Sequence, residues 1–232
     1  QDQREVGEMY LVETKVGHPV LQAWKYPMPG DKAVSMLERV VIHLDGPRVV
    51  RLKMDPDQHR STFIDDIKGW SGVMEDVQWS PDGSRLVFVS TSRDHKRALL
   101  READPGTGEV RDVFEETAAT YFESGNDRAN WRLLAASSEV LWFSERDDWG
   151  HLYLYDLATG RLKNRVTSGE WAVLQVVRVD ENSRTVFFLA GGREKGRNPY
   201  FRHLYSVGLD GRGPRLLTPE DADHEIAFSP SG

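Results

Sequence analysis

Short apolar runs separated by polar turns recur along most of the chain. Representative runs are Arg85–Val89, Val140–Ser144 and Thr185–Leu189, which are rich in Val, Phe and Leu. Each run is bounded by Gly, Asp, Asn or Ser, and none shows the 3.6-residue periodicity of an amphipathic helix. This pattern is typical of short antiparallel strands. The chain is therefore predicted to be all-β.

The runs are organised in a repeat of about fifty residues. The turn glycines Gly108, Gly160 and Gly211 are spaced 52 and 51 residues apart. Asp82-Gly83 and Asp210-Gly211 are strong hairpin signals, because such turns need a positive φ that glycine adopts without strain. Four short strands in a period of this length are typical of a propeller blade. We therefore predict a partial β-propeller of four-stranded antiparallel blades.

The repeat also predicts where the blades begin and end. The segment Ile226–Gly232 repeats the form of Val77–Gly83, about three periods later. We expect about three full blades with partial blades at both ends, in one propeller segment. Such an arc leaves edge strands unpaired, and unpaired edges favour self-association. The predicted units are 1–54 (end of one blade), 74–116, 131–169 and 171–218 (full blades), and 223–232 (start of the next blade).

Composition excludes several classes of function. The net charge is −7, with both signs interspersed, whereas a nucleic-acid binder needs a basic face. No run approaches the roughly 20 apolar residues of a membrane-spanning helix. The chain contains no cysteine, which excludes disulfides and thiolate metal sites. These features fit the cytoplasm and the periplasm equally well.

No motif predicts a catalytic, cofactor or metal site. Gly69–Gly72 contains Ser71 but lacks the second spacer of a Gly-x-Ser-x-Gly elbow, so Ser71 is interpreted as a loop serine. The histidines lack the close spacing of zinc ligands. His151 and His203 both precede Leu-Tyr one period apart, which indicates a structural role in packing or hydrogen bonding between blades. The adjacent acids Glu115-Glu116 are interpreted as a solvated strand end.

Six motifs, in order along nearly the whole chain, resemble one known family. The similar proteins are the bacterial members of the dipeptidyl peptidase IV branch of the prolyl oligopeptidase family of serine peptidases, and the matching part is their propeller. A Ser-Pro-Asp-Gly element alone is common among propellers, but the ordered set is more specific. The motifs are Trp24–Asp31, Trp79–Gly83, Thr91–Lys96, Ser144–Tyr155, Thr167–Trp171 and Asn198–Tyr205.

The resemblance implies a role without catalysis for this chain. In that family the propeller lies over an α/β-hydrolase domain and restricts access to the active site. The substrates are short peptides with a free amino terminus, commonly cleaved after proline or alanine. The Ser-Asp-His triad follows the propeller, and paired glutamates that bind the substrate's amino group precede the Tyr-Pro segment, so neither lies within residues 1–232. The resemblance thus implies a substrate-gating propeller segment, a serine-type parent enzyme, and a periplasmic or secreted location, with the cytoplasm also open.

One substrate contact is implied by the same resemblance. The segment Thr120–Trp131 joins two predicted blades and contains aromatic residues and Arg128. In the family a comparable linker projects an arginine toward the substrate pocket, and a planar guanidinium suits this role because it binds carbonyls or carboxylates with two hydrogen bonds. The alternative is that Arg128 is an ordinary surface arginine.

Two other classes of function stay open. A non-enzymatic protein-binding propeller, of the kind found in periplasmic scaffolds, also repeats Ser-Pro-Asp-Gly. Such repeats are usually uniform and about 40–45 residues long, so the observed spacing and the insertion at Gly191–Tyr200 favour the peptidase propeller. A sugar-processing propeller would need inward-facing carboxylates on several blades, and the sequence does not place them.

Overall fold

The computed structural model describes residues 3–58, 77–122 and 130–229. Eighteen strands and no helix form in these ranges, so the described part of the chain has no helix that could cross a membrane. The N-terminal region contains three two-stranded antiparallel sheets, β1–β2, β3–β6 and β4–β5. Their strands are β1 (Glu8–Glu13), β2 (Val20–Lys25), β3 (Met36–Leu37), β4 (Val40–His43), β5 (Arg48–Arg51) and β6 (Asp57–Gln58).

Three four-stranded antiparallel sheets follow, and the strands of each sheet are neighbours in chain order. We call them the first, second and third blades. The first contains β7 (Val77–Trp79), β8 (Leu86–Thr91), β9 (Arg97–Ala103) and β10 (Val110–Thr117). The second contains β11 (Arg132–Leu134), β12 (Glu139–Ser144), β13 (His151–Asp156) and β14 (Leu162–Arg165). The third contains β15 (Ala172–Asp180), β16 (Thr185–Gly191), β17 (His203–Gly208) and β18 (Arg215–Leu216).

The predicted all-β class and the four-stranded antiparallel sheets are confirmed. Residues 217–229 form no strand. Their side chains nevertheless alternate between half-buried and exposed from His224 to Ser229, as in an extended segment that lies along the third blade. The assignment of 1–54 and 223–232 to incomplete blades stays a prediction.

The strand order gives every blade two different ends. Because consecutive strands are antiparallel, the turn between the second and third strands lies at the same end as the chain that leaves the fourth strand. We call this the linker end and the opposite one the short-turn end. In all three blades a backbone N–H of the departing chain bonds to that turn. The bonds are Phe122 N–H to His95 O (2.5 Å), Val173 N–H to Gly150 O (2.8 Å) and His224 N–H to Arg202 O (3.1 Å).

The periodic glycines lie where one sheet touches the next at the short-turn end. A Cβ atom on Gly160 would collide with the carbonyl oxygen of Val113, in the fourth strand of the preceding blade. A Cβ atom on Gly211 would lie 3.0 Å from the carbonyl oxygen of Arg165, at the end of β14. Both glycines also have a positive φ, of 67° and 81°. Close approach between blades therefore explains the regular spacing.

Gly108 makes the same contact with the N-terminal region. A Cβ atom there would collide with the carbonyl oxygen of Arg51, the last residue of β5. The backbone N–H of Lys53 also bonds to Gly108 O at 2.7 Å. β5 therefore contacts the first blade in the same way that β10 contacts the second blade and β14 contacts the third.

The hydrophobic core lies mainly between the blades. One cluster joins the first and second blades and includes Val87, Leu100 and Trp142. Another joins the second and third blades and includes Leu154 and Phe188. The second blade therefore buries both of its faces against its neighbours, as a layered β-structure requires.

Candidate functional site

The linker end is the candidate site because the longest connections of the three blades meet there. The turn 192–202 and the linker 118–131 are the longest examples. At the short-turn end the connections are tight, as in Ser80–Arg85, where Asp82 accepts hydrogen bonds from Ser80 and Ser84. Rigid strands that carry long loops at one end are the usual arrangement of binding surfaces.

An arginine and an acid form a repeated unit in the turns at this end. In the second blade the guanidinium of Arg146 lies 4.4 Å from the ring centroid of Tyr153. The hydroxyl of Tyr153 donates to Asp147 Oδ2 at 2.6 Å. Burial is the main cause that raises the pKa of Tyr153, so this phenol keeps its proton. The turn is therefore held by a cation–π contact and a charged hydrogen bond.

The third blade repeats the unit with different residues. Arg193 lies 4.7 Å from the ring centroid of Tyr205 and 4.9 Å from that of Trp171. The hydroxyl of Tyr205 donates to Glu194 Oε1 at 2.6 Å. Burial, followed by the hydrogen bond to Glu194, raises the pKa of Tyr205 well above its ordinary value. The corresponding turn of the first blade contains Arg93-Asp94, and Arg101, 52 residues before Tyr153, takes the position of the tyrosine opposite Phe88.

Glu116 corrects the expectation of a solvated strand end. Its side chain is only 9% exposed. It accepts hydrogen bonds from Trp142 Nε1 at 2.6 Å, from Arg146 Nη2 at 2.6 Å and from the hydroxyl of Ser144. Alternation along β10 turns Glu116 toward the second blade and leaves Glu115 in solvent, paired with Arg97. Two adjacent acidic residues in a strand point to opposite faces of the sheet, so here only Glu115 is solvated.

The turn residue Arg146 is held by this carboxylate. Burial by itself lowers the pKa of Arg146, but the charge of Glu116 and the hydroxyl of Tyr155 together raise it above its ordinary value. The guanidinium is therefore a permanent cation, fixed between a carboxylate and two tyrosine rings. Arg146 therefore stabilises the turn of the second blade at the linker end.

His151 has the role predicted for both periodic histidines, packing and hydrogen bonding between blades, whereas His203 contacts Thr218 and His224 in the chain that follows its own blade. His151 is 1% exposed, and its ring contacts Trp171, which precedes the third blade, at a centroid distance of 5.0 Å. Its nitrogens lie 3.1 Å from Thr167 Oγ1 and 2.9 Å from Gly169 O. Burial lowers the pKa of His151 and keeps the ring neutral. These partners are a threonine and a backbone carbonyl, which do not form a nucleophile–base–acid arrangement.

The predicted substrate residue Arg128 lies outside the described residues, and so does Ser71. Both flanks of the linker are described and anchored. Tyr121 stacks on His95 at a centroid distance of 4.5 Å. Asn130 is 6% exposed; its side chain donates to Leu174 O at 3.2 Å and accepts from Val176 N–H at 3.1 Å. The linker therefore begins on the first blade and ends against the third.

Exposed aromatic side chains at the linker end were not predicted from the sequence. Tyr121, Trp149 and Tyr200 belong to connections of the first, second and third blades and are 52%, 41% and 87% exposed. Their position in turns was the only available signal, because an apolar residue in a turn is more exposed than one in a strand. Within the described ranges no group of three or more His, Cys, Asp or Glu side chains is placed to hold a metal ion.

Comparison with known proteins identifies the family of the chain. A family model described as the dipeptidyl peptidase IV N-terminal region matches residues 1–232. The chain belongs to this family. A probable dipeptidyl-aminopeptidase B of Tuber melanosporum is 28% identical over 227 residues, and dipeptidyl peptidase 4 of Arthroderma otae is 33% identical over 85 residues. These matches cover 91% and 37% of the chain but only 23% and 10% of the relatives.

Solved structures of related peptidases share the fold. Porphyromonas gingivalis dipeptidyl peptidase 4 matches 97% of the chain with a TM-score of 0.71 and 20% identity. A putative dipeptidyl aminopeptidase IV from Bacteroides ovatus matches 92% with a TM-score of 0.69 and 18% identity. The chain spans 29% and 30% of the length of those two proteins. At these identities the likeness shows a common fold.

Proposed function

We propose that the chain is the non-catalytic, substrate-gating propeller segment of a serine-type dipeptidyl peptidase of the prolyl oligopeptidase family. The match of the dipeptidyl peptidase IV N-terminal family over residues 1–232 carries this proposal. The parent enzyme removes dipeptides from short peptides, preferentially after proline or alanine, by acyl transfer through a serine on a separate α/β-hydrolase domain. The propeller admits short peptides and excludes folded chains.

The linker end faces the hydrolase domain in this proposal. It carries the long connections and the exposed Tyr121, Trp149 and Tyr200. Tyrosine, tryptophan and arginine are the residues that contribute most to protein–protein interfaces. The short-turn end has tight turns closed by their own hydrogen bonds, as at Asp82.

Arg128 contributes a contact to the peptide substrate in the same proposal. The flanks of its linker are fixed by Tyr121 and Asn130 at the linker end, which faces the catalytic domain. A guanidinium presents several N–H donors in one plane and can bind a peptide carbonyl or carboxylate.

Two assays test the proposal. Purified 1–232 should not hydrolyse Ala-Pro or Gly-Pro chromogenic dipeptides above the buffer blank; hydrolysis that copurifies with the chain would refute a non-catalytic role. In a chain that also contains the hydrolase domain, Arg128→Ala should raise KM for dipeptide substrates about tenfold. Arg161→Ala, an exposed arginine at the short-turn end, is the matched control and should leave KM unchanged. Equal KM values for both variants would remove Arg128 from the substrate site.

Self-association through open edges is a further part of the proposal. Among the described strands β4 pairs with β5 alone, and an edge that no described strand covers offers backbone donors and acceptors to a second copy of the chain. Val40, Ile42 and Val49 share one face of this hairpin and are 42%, 59% and 60% exposed. Light scattering of purified 1–232 should show a dimer or larger species that Ile42→Lys shifts toward the monomer. A monomeric wild-type chain at high concentration would contradict it.

A further inference from the structure

Two histidines meet beside the third blade. His203 begins β17 and is 3% exposed, and His224 is half-buried in the segment that follows β18. Their ring centroids lie 5.4 Å apart. The pair is a product of the fold, because the two residues are far apart in the sequence.

The residues just before the two histidines hold them in place. The guanidinium of Arg202 binds the carboxylate of Asp223 with two hydrogen bonds, Nε to Oδ1 at 2.9 Å and Nη2 to Oδ2 at 2.7 Å. The backbone N–H of His224 donates to Arg202 O at 3.1 Å. This clamp fixes the backbone of His224 against that of His203, and its two charges cancel.

The hydrogen bonds decide which ring nitrogen of each histidine is free. His203 Nδ1 lies 3.1 Å from Thr218 O. A carbonyl oxygen only accepts, so Nδ1 carries the proton and Nε2 keeps its lone pair. This Nε2 is buried and has no hydrogen-bond partner among the described residues. His224 Nε2 lies 3.3 Å from Glu220 O, which by the same argument leaves the lone pair on Nδ1.

His151 lies at the position equivalent to His203 but carries its proton on the other ring nitrogen. Its Nε2 lies 2.9 Å from Gly169 O and must carry the proton. Its Nδ1 lies 3.1 Å from Thr167 Oγ1, which already accepts the backbone N–H of Leu152 and is free to donate its own hydrogen. Both nitrogens of His151 are therefore satisfied, whereas the equivalent histidine of the third blade has an unused imidazole lone pair.

We propose that His203 Nε2 and His224 Nδ1 form a two-imidazole site for a divalent transition-metal ion such as Zn²⁺. A metal-binding histidine commonly donates its other N–H to a backbone carbonyl, and both rings do so here. Two imidazoles that share one tetrahedral ion, with metal–nitrogen bonds of about 2.0–2.1 Å, have ring centroids about 5 Å apart. The observed 5.4 Å agrees with this separation.

The site is suited to reversible binding. Structural zinc sites use four protein ligands, whereas two imidazoles leave the remaining positions to water. Binding would tie the segment 219–229 to β17 and would satisfy the buried Nε2 of His203. The site is independent of the proposed peptidase role, and its test does not require activity.

Calorimetric titration of 1–232 with Zn²⁺ is the first test. His203→Gln and His224→Gln should each weaken binding at least tenfold. His18→Gln is the matched control, since His18 is exposed in the connection between β1 and β2, and it should leave the affinity unchanged. If His203→Gln fails to fold, His224→Gln decides the outcome, because that side chain is only half-buried. Wild-type affinity in a folded His224→Gln variant would overturn the proposal.

Nitrogen-15 spectra of histidine-labelled protein give a second, independent readout. Before Zn²⁺ is added, His203 should show the Nδ1–H tautomer and His151 the Nε2–H tautomer. Zn²⁺ should shift His203 Nε2 and His224 Nδ1 and leave His151 unchanged. Shifts confined to His18 or other surface histidines would show adventitious binding only and would refute the site.

Discussion

The second blade and the β1–β2 hairpin contain the same kind of strand in opposite surroundings. In the second blade all six residues of β12 are buried, whereas in the hairpin all six residues of β2 are exposed. Both strands have a complete antiparallel register with a neighbour. The two regions differ in pairing and in burial: β12 also pairs with β11 on its other edge, whereas β2 pairs with β1 alone among the described strands, and only β12 has its side chains covered. A strand is stabilised in this fold by the sheets stacked on its two faces.

The energetic consequence follows from the area removed from water. Burial of apolar surface contributes about 25 cal/mol per Å², and an isolated two-stranded hairpin is at best marginally stable. The first and third blades cover the second, while Tyr10, Leu11 and Leu21 of the hairpin are 57%, 56% and 61% exposed. We therefore expect equivalent substitutions to be costly in the second blade and nearly neutral in the hairpin.

Among equivalent substitutions in the two regions, replacement of tryptophan should give the largest difference in the free energy of unfolding. Trp142 is 1% exposed between the first and second blades, so Trp142→Ala should lower the free energy of unfolding by about 3–5 kcal/mol. Trp24→Ala, at a position that is 38% exposed in the hairpin, should change it by about 0.5 kcal/mol or less. Urea unfolding followed by circular dichroism measures both. Similar losses would mean that the hairpin is packed in solution.

A glycine pair separates close packing from backbone strain. Gly160→Ala should cost about 3 kcal/mol, because the added Cβ meets the carbonyl oxygen of Val113 and φ is 67°. Gly17→Ala has a φ of 105° but nothing within 4 Å of the added Cβ, so about 1 kcal/mol of strain is expected. Thermal unfolding of the two variants tests this. If both variants lowered Tm equally, close contact between blades would not explain the regular spacing of the glycines.

Acid should weaken the boundary between the second and third blades. Glu139 is 1% exposed and pairs with Arg184 at 2.8 Å and with Lys163. Burial alone would raise its pKa, but these cations together lower it from 4.5 to about 2. The folded pKa is below the unfolded one, so the stabilisation is complete above about pH 4.5 and is lost as the pH falls toward 2.

Glu139→Gln should remove most of that pH dependence. At neutral pH it should cost about 1–2 kcal/mol, since Arg184 and Lys163 are each 44% exposed and can be solvated. Glu115→Gln, in the exposed pair with Arg97, should have a much smaller effect, because solvent screens that pair. Urea midpoints between pH 3 and 7 measure both. An unchanged pH profile in Glu139→Gln would assign the acid sensitivity to other carboxylates.

The smallest difference concerns two tyrosine hydroxyls. Tyr153→Phe removes the 2.6 Å bond to Asp147 and should cost about 1 kcal/mol. Tyr10→Phe removes an exposed 2.8 Å bond to Glu8 and should have almost no effect. Unfolding free energies with an error below about 0.3 kcal/mol would resolve the two values. If both variants lowered the free energy of unfolding equally, burial would not be what makes the Tyr153–Asp147 hydrogen bond stabilising.

The sequence predicted strands and turns well because both are local properties. The apolar runs near residues 86, 140 and 185 were expected to be strands, and the structure contains them as β8, β12 and β16. The environment of Glu116 was predicted wrongly, because its burial depends on Trp142 and Arg146, which approach only when two blades stack. The exposed aromatic residues and the His203–His224 pair were missed for the same reason.

The sequence alone determined the strand pattern, the glycine period and the resemblance to one family of peptidases. These features need only alternation along the chain, the conformational freedom of glycine and the order of motifs. The tertiary structure decided which side chains are buried, that Gly108, Gly160 and Gly211 mark contacts between sheets, and that His203 and His151 differ in their free nitrogen. Those properties depend on atoms far apart in the sequence, which come together only when one blade packs on the next.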